Sequence, residues 1–320
     1  MTDKPIQSAD EIIARAIAIA NEGRKKRVAV AAAQDADVIG AVAQAQADGF
    51  LDATLVGDGE KIKALANEHG IDIGRLELVN EPDVPTAAHK AVALASAGNA
   101  DAIMKGFLPT SALLKAVLDK RYGLRGDNTL SHCAVLDIPG RHKLLNFTDG
   151  GMVVRPDPAT KYQIIENAVL VAQALGLSPV KVAVSATVKK ATKTIPHTMT
   201  DVDYVIPEAR KRLNDVLIAG PMPVDIAMSP EAAKAYGVTD PVAGDADVFV
   251  VDSIEECNII CKSLFQFPKA IFSGVIVGAR VPVSLVSRTD TVKNKKSSLA
   301  LACLLADYYA LNDVFGKGEN

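Results

Sequence analysis

The chain has no tryptophan, and only 4% of its 320 residues are aromatic. That scarcity argues against a surface built to stack bases of single-stranded nucleic acid. Neither sign of charge is in large excess. The 35 basic residues against 38 acidic ones give a formal charge of −3, whereas proteins built around nucleic acid carry a basic surplus. No apolar stretch reaches the roughly 18 uninterrupted residues of a membrane span. The opening run, MTDKPIQSADEIIARAIAIANEGRKK, reads as an amphipathic helix without the apolar core of a cleavable leader. Four cysteines, Cys133, Cys257, Cys261 and Cys303, are too few and too scattered for a disulfide framework. Cys257 and Cys261 are four apart on a predicted helix, and with no second ligand pair they read as buried thiols. These absences point to a cytoplasmic protein with no nucleic-acid or membrane partner. They leave open a small anionic ligand, which needs only a local cluster of cations.

What is present is an alternation of short β-rich runs with amphipathic helical stretches. VAVAAA (Val28 to Ala33) reads as a buried strand, and QDAD supplies a polar turn and helix cap before Val38, Val42 and Ala45 recur at helical spacing. ATLVGD, LELV and AIM (Ala102 to Met104) continue the strands, with helices over Glu60 to Glu68 and Thr86 to Ala97 between them. Strands separated by helices predict an α/β fold with a mostly parallel sheet covered on both faces. Between about Asn128 and Asp149 the rhythm breaks into two β-like runs, SHCAVLDI and KLLNFTD, joined like a hairpin by PGRHK. The alternation then resumes through KVAVSA, VLIAG, VFVVD and SGVIVGA, and a last helix is expected over Asn294 to Leu311. The expected organisation is two domains: 1–135 with 287–320, and 136–286.

In such sheets ligands collect beyond the carboxyl ends of strands, where loops and helix N-termini converge. VPVSLVSRTD delivers Ser287, Arg288 and Asp290 just ahead of a helix. A guanidinium could hold phosphate through two parallel hydrogen bonds, a hydroxyl could donate to an oxyanion, and a carboxylate could take a proton. A simple helix cap with an exposed Arg is the competing reading. DAIMKGFLPTS places Lys105 and Gly106 at a strand end, with Thr110 and Ser111 opening the next helix. A solvated Lys before an ordinary cap competes there too. GLRGDNTLSH contributes Arg125, Ser131 and His132, and NFTDGG offers Asp149 in a turn that an Asp favours for local reasons alone. RKKR at 24–27 reads as a solvated helix end, and KKATK and KNKK are weak candidates for phosphate contact.

Taken in order, VAVAAAQDADVIGAV, LVGD, IMKG, AVLDKRYGLRGDNTLSHCAV, NFTDGG, AGPMPVDIAMSPEAA, VAGDADVFVV and IVGARVPVSLVSRTD resemble the phosphate acetyltransferase and phosphate butyryltransferase family. The butyryltransferase-like branch is the closer. The resemblance implies the reaction acyl-CoA + phosphate ⇌ acyl phosphate + CoA for a short acyl group, by direct attack of the CoA thiolate. It implies no metal, no covalent acyl-enzyme and no tightly bound cofactor, coenzyme A being a substrate. It also implies a homodimer of two α/β/α domains with an inter-domain cleft, an architecture like that of isocitrate and isopropylmalate dehydrogenases.

Ser287 and Arg288 match the family's substrate-binding pair, with Asp290 as the acid beside them. Lys105, Gly106, Ser111, Arg125, Ser131, His132 and Asp149 fall in the substrate-binding segments. The cations Lys105, Arg125 and Arg288 would then gather at one cleft. The chain departs from the family pattern at several places. Lys293-Asn294 stand where acetyltransferases carry an acid, Lys115 where Arg is common, His197 where many relatives have Ser, and TDGG replaces TDAA-type runs. A non-catalytic CoA or acyl-phosphate binding protein is one alternative. A metal- and NAD-dependent decarboxylating dehydrogenase of related fold is another, though the clustered Asp residues it needs for a metal are not evident.

Overall fold

The structure, a computed structural model, describes residues 4–287 and 290–316. Its contacts divide the chain into two compact units. The first comprises residues 9–127 and the chain from 272 onward, the second residues 128–271 and the stretch before 9. The sequence reading set the crossings at 135/136 and 286/287 instead. Strand pairing explains the difference: the run from Ser131 pairs along its length with the run ending at Thr148, and the run from Ile271 pairs back toward Val283.

The first unit begins with α1 (Ala9–Ile19), then β1 (Lys26–Ala31), α2 (Ala36–Ala47), β2 (Leu51–Gly57), α3 (Gly59–Glu68), β3 (Glu77–Asn80), α4 (Val84–Ser96), β4 (Ala102–Lys105) and α5 (Thr110–Val117). Its helices start where short acceptors sit. Asp35, Asp58 and Asp83 each accept a hydrogen bond from the backbone three residues on, and Pro85 adds a ring pre-set for the first turn. β1 stops two residues earlier than the apolar run suggests, because Ala32 turns to a positive φ of 53°. The RKKR run is a solvated helix end only in part: Lys25 and Arg27 are exposed, but Arg24 and Lys26 both pair with Asp307, which is almost wholly buried.

The second unit runs β5 (Ser131–Asp137), β6 (Leu145–Thr148), α6 (Pro158–Ala174), β7 (Val180–Ser185), α7 (Pro196–Thr200), α8 (Ile206–Arg212), β8 (Val216–Met222), α9 (Val224–Met228), α10 (Pro230–Ala235), β9 (Val248–Val250) and α11 (Ile254–Gln266). The chain then re-enters the first unit through β10 (Ile271–Val277), β11 (Val283–Ser284) and α12 (Val292–Asn312). The expected hairpin is present as the antiparallel β5–β6 pair. The short helices α7 and α9 lack the length that a periodicity reading needs.

The strand order is β3-β2-β1-β4-β11-β10 in the first unit and β5-β6-β9-β7-β8 in the second. All described pairings are parallel except β10–β11 and β5–β6. Each unit is therefore an α/β layer structure whose loops of one kind collect at the carboxyl edge. β1 and β4 carry fully buried runs such as Val28 to Ala31 and Ala102 to Met104, as a sheet covered on both faces requires. α12 is apolar nearly all round, with Leu299, Leu301, Leu304 and Leu305 all buried, so it is a core helix of its unit. Among the described residues no helix is long and apolar enough to cross a membrane.

Candidate active site

In the first unit, β1, β4 and β11 lie side by side and parallel, with Ala31 beside Lys105 and Ser284 beside Met104. Their carboxyl ends therefore present Lys105-Gly106 and, three residues past β11, Ser287. Lys105 is buried, and its Nζ donates to the carbonyls of Gly106 at 3.1 Å and Leu108 at 3.2 Å. Gly106 is required there: a Cβ would come within 2.2 Å of the Ala32 carbonyl oxygen and 2.5 Å of that of Ala31. Ser111 is exposed in the first turn of α5, whose capping position is taken by Pro109 without a side-chain bond.

Ser287 is exposed, and its backbone N–H donates to the Oδ2 of buried Asp290, while the Asp290 N–H returns to the Ser287 carbonyl at 3.2 Å. That reciprocal pair shapes the turn before α12. Lys295, 1% exposed, donates to the Asp290 carbonyl, and its Nζ lies 3.7 Å from Asp37 at the start of α2. Thr291 caps α12 through the Asn294 N–H at 3.2 Å. Two helix N-termini and two buried lysines thus converge on one edge, an arrangement suited to an anion. Arg288 lies outside the described residues.

The expected gathering of cations does not include Arg125 within this unit. Its backbone bridges Ala279, and Leu124 accepts from the Arg280 N–H, at the amino end of β11. That is the opposite edge of the sheet from Lys105 and Ser287.

In the second unit, β5 is antiparallel to β6 and β9 is parallel to it, so Ser131 and His132 begin where Asp149 and Val251 end. The structure brings these three expected residues together, with the Ser131 hydroxyl and the Asp149 carboxylate already engaged in hydrogen bonds. Ser131 is fully buried and its Oγ accepts from the Asn167 amide at 2.8 Å. Asp149 accepts four backbone N–H bonds, from His132 at 3.1 Å, Gly151 at 2.8 Å, Met152 at 3.0 Å and Val153 at 2.9 Å. Burial raises its carboxyl above the ordinary value, against the opposing pull of those donors. Its work here is to hold the TDGG turn. Burial pushes the His132 imidazole down to about 4, so the ring is neutral at pH 7.

A further cluster at this edge was not foreseen. Lys161, on the first turn of α6, donates to Asp201 at 2.9 and 2.8 Å and to Asp252 at 2.5 Å. Asp252 in turn lies 2.8 Å from the Nε2 of His197. Burial raises the Asp201 carboxyl and the Lys161 ammonium opposes it. The signal for Lys161 was in the sequence, since it shares a helical stripe with Ile165, Ala168 and Ala172. Lys295 likewise stands in line with Leu299, Ala302 and Ala306. A lysine in an apolar stripe marks a buried charge that must have a partner. Beside this cluster, the loop after β7 and the start of α9 enclose a cleft of about 600 Å³ lined by Thr187, Lys189, Lys190, Thr192, Asp225 and Tyr236, among others.

The sequence profile described as phosphate acetyl/butaryl transferase matches residues 11–89 and 83–303. A phosphate butyryltransferase of Clostridium acetobutylicum is 40% identical over 301 residues, covering 94% of this chain and 99% of that protein. A phosphate acetyltransferase of Rhizobium meliloti is 36% identical over 272 residues, covering 85% and 86% of the two chains. Among solved structures, a branched-chain phosphotransacylase from Enterococcus faecalis superposes with a TM-score of 0.78 at 30% identity, covering 88% of this chain and 99% of that one.

Proposed function

The chain belongs to the phosphate acetyl/butyryl transferase family, and on that premise we propose that it moves a short acyl group, in the acetyl-to-butyryl range, reversibly between coenzyme A and phosphate. The observation that best supports this reading is the shared carboxyl edge of β4 and β11. It sets Lys105 and Ser287 beside the N-terminus of a 21-residue helix. An edge of backbone N–H groups and lysines favours a phosphate and the oxyanion that forms when an acyl carbonyl is attacked.

In the proposed reaction the CoA thiolate attacks the carbonyl carbon of the acyl phosphate. The carbonyl electrons move onto oxygen, and their return expels phosphate with the C–O bonding pair. Ser287 donates to the oxyanion, Arg288 holds the phosphate, and Asp290 keeps the Ser287 segment in register through its backbone bond. Ser131, His132 and Asp149 serve substrate binding through the shape of the TDGG turn. Rate then comes from positioning two substrates and from pre-set donors. Coenzyme A enters as a substrate, and the active species is a homodimer, which sedimentation at assay concentration checks.

Phosphate-dependent release of CoA from a panel of acetyl-, propionyl- and butyryl-CoA tests the reading. Turnover that falls by about 10²-fold or more in Ser287→Ala, with a raised phosphate KM in Arg288→Ala, supports it. Tight CoA binding without turnover would make the chain a binding protein, and metal-dependent NAD reduction would make it a dehydrogenase.

A further inference from the structure

Lys295 sits in the apolar stripe of α12 with only 1% of its surface exposed. Burying an ammonium is costly, and an apolar side chain of similar size in such a place is often neutral or stabilising. Among the described residues Lys295 has two polar contacts. Its Nζ donates to the Asp290 carbonyl, and the carboxylate of Asp37, a side chain 57% exposed, lies 3.7 Å away. A half-solvated carboxylate at that distance offsets little of the cost of drying the charge.

The helix is seated by other bonds. The Asn294 side chain accepts from the Phe272 N–H at 3.4 Å, and Ser297 and Ser273 share a hydrogen bond of 2.6 Å. The Ser298 hydroxyl accepts from the Gly274 N–H at 3.0 Å. These contacts tie the first two turns of α12 to β10, and none of them involves the lysine.

What the ammonium adds lies at the turn ahead of the helix. Asp290, whose carbonyl it holds, is bonded to Ser287 twice. The Asp290 Oδ2 accepts from the Ser287 N–H at 2.5 Å, and the Asp290 N–H donates to the Ser287 carbonyl at 3.2 Å. Asp37 stands in the first turn of α2, which Asp35 caps. Lys295 thus braces the Ser287 turn against the start of α2, and every residue in this chain of contacts belongs to the first unit.

From these contacts we infer that Lys295 is a positioning residue for Ser287, acting through the Asp290 carbonyl. The inference rests on the phosphate acyltransferase reading, in which Ser287 donates to the oxyanion. Such a donor has to be in place before the carbonyl electrons move, since reorganisation during the step weakens its effect. A misplacement of about 1 Å can cost on the order of 10²-fold in rate. The fixed carbonyl of Asp290 limits that drift, and the charge buried at Lys295 serves the turn rather than the fold.

The test compares wild type, Ser287→Ala, Lys295→Met and the double variant in the acyl phosphate plus CoA direction, with a urea midpoint for each. Wild-type turnover decides the underlying reading by itself, and its absence sinks both. Given turnover, Lys295→Met should lower kcat by about 10-fold or more, with both KM values nearly unchanged. Its urea midpoint should equal or exceed that of wild type. In the Ser287→Ala background the same substitution should change kcat by less than about twofold, because the group it positions is gone.

A kcat loss of the same factor in both backgrounds marks a merely structural lysine and overturns the inference. Wild-type kcat in Lys295→Met overturns it too, as does a loss wholly in the KM for acyl phosphate, which would make Lys295 an anion-binding group. A Ser287→Ala enzyme with wild-type kcat removes the group being positioned, and overturns the inference while leaving the acyltransferase reading intact. Should Lys295→Met fail to fold, Asp37→Asn takes its place in the cycle. It should lower kcat by about threefold or more with Ser287 present and by less than about twofold without it; an unchanged kcat with Ser287 present overturns the inference.

Discussion

Replacing Lys161 with methionine tests the charge accounting of the second unit. The ammonium lies 2.8 to 2.9 Å from both oxygens of Asp201 and 2.5 Å from Asp252, and both Lys161 and Asp201 are almost wholly buried. At an effective dielectric of about 20, each contact is worth roughly 6 kcal/mol of attraction, most of it offset by the cost of drying the charges. The measurable quantity is the cost of leaving two carboxylates without their cation, which for a buried pair is about 3–5 kcal/mol. With an m-value of about 3 kcal/mol per molar urea, the unfolding midpoint of Lys161→Met should fall by about 1–1.7 M at pH 7.

The pH dependence has a definite sign. Burial already raises the Asp201 carboxyl above its unfolded value. The stability this linkage supplies is therefore present below the ordinary carboxylate pKa and lost as pH rises through the folded value. Without Lys161 that folded value climbs further, so the deficit should be largest at neutral pH and shrink toward pH 4. Adding Asp201→Asn to Lys161→Met should recover part of the midpoint by removing one unpaired charge. A deficit that is the same at pH 4 and pH 7, with no recovery in the double variant, would refute the reasoning and leave only lost packing.

The remaining expectations are more local. Gly106→Ala should destabilise the first unit by about 3 kcal/mol or more, because its Cβ meets backbone carbonyls that cannot move aside; a urea midpoint within error of wild type would contradict the close approach. The His132 ring, held at about 4 against an unfolded value near 6.5, supplies stability that is present above pH 6.5 and lost as pH falls through 4. The total is about 3 kcal/mol, and His132→Asn should show a flatter acid limb in chemical denaturation. The Cys133 and Cys303 thiols, pushed up to about 12 by burial, should resist a thiol reagent at pH 8 until urea exposes them. Prompt labelling of either in the native protein would count against the described core.

The sequence determined those features that depend on neighbours along the chain. Alternating β-rich runs and amphipathic stretches specify helices and strands locally, and Asp or Ser before a helical run specifies where each helix starts, as at Asp35, Asp157 and Ser253. The ordered motifs were enough to identify the family, because each strand end carries its own short signature. Strand lengths were legible to within a few residues, with Ala32 the exception: its left-handed backbone has no propensity signal, since a close approach to Gly106 imposes it.

What only the tertiary structure decided is which polar groups are already spoken for. In the sequence Asp149 and Asp252 are each one acid after a strand. In space one is consumed by four backbone donors, while the other stands between a buried lysine and a half-exposed imidazole. Lys161 and His197 are 36 residues apart, and Lys295 and Asp37 far more, so no local spacing couples them. Their pairing follows from sheet order, which is set by burial of apolar faces summed over whole units. The composition admitted an anion site and placed it nowhere; the shared carboxyl edge of β4 and β11 is where we propose it.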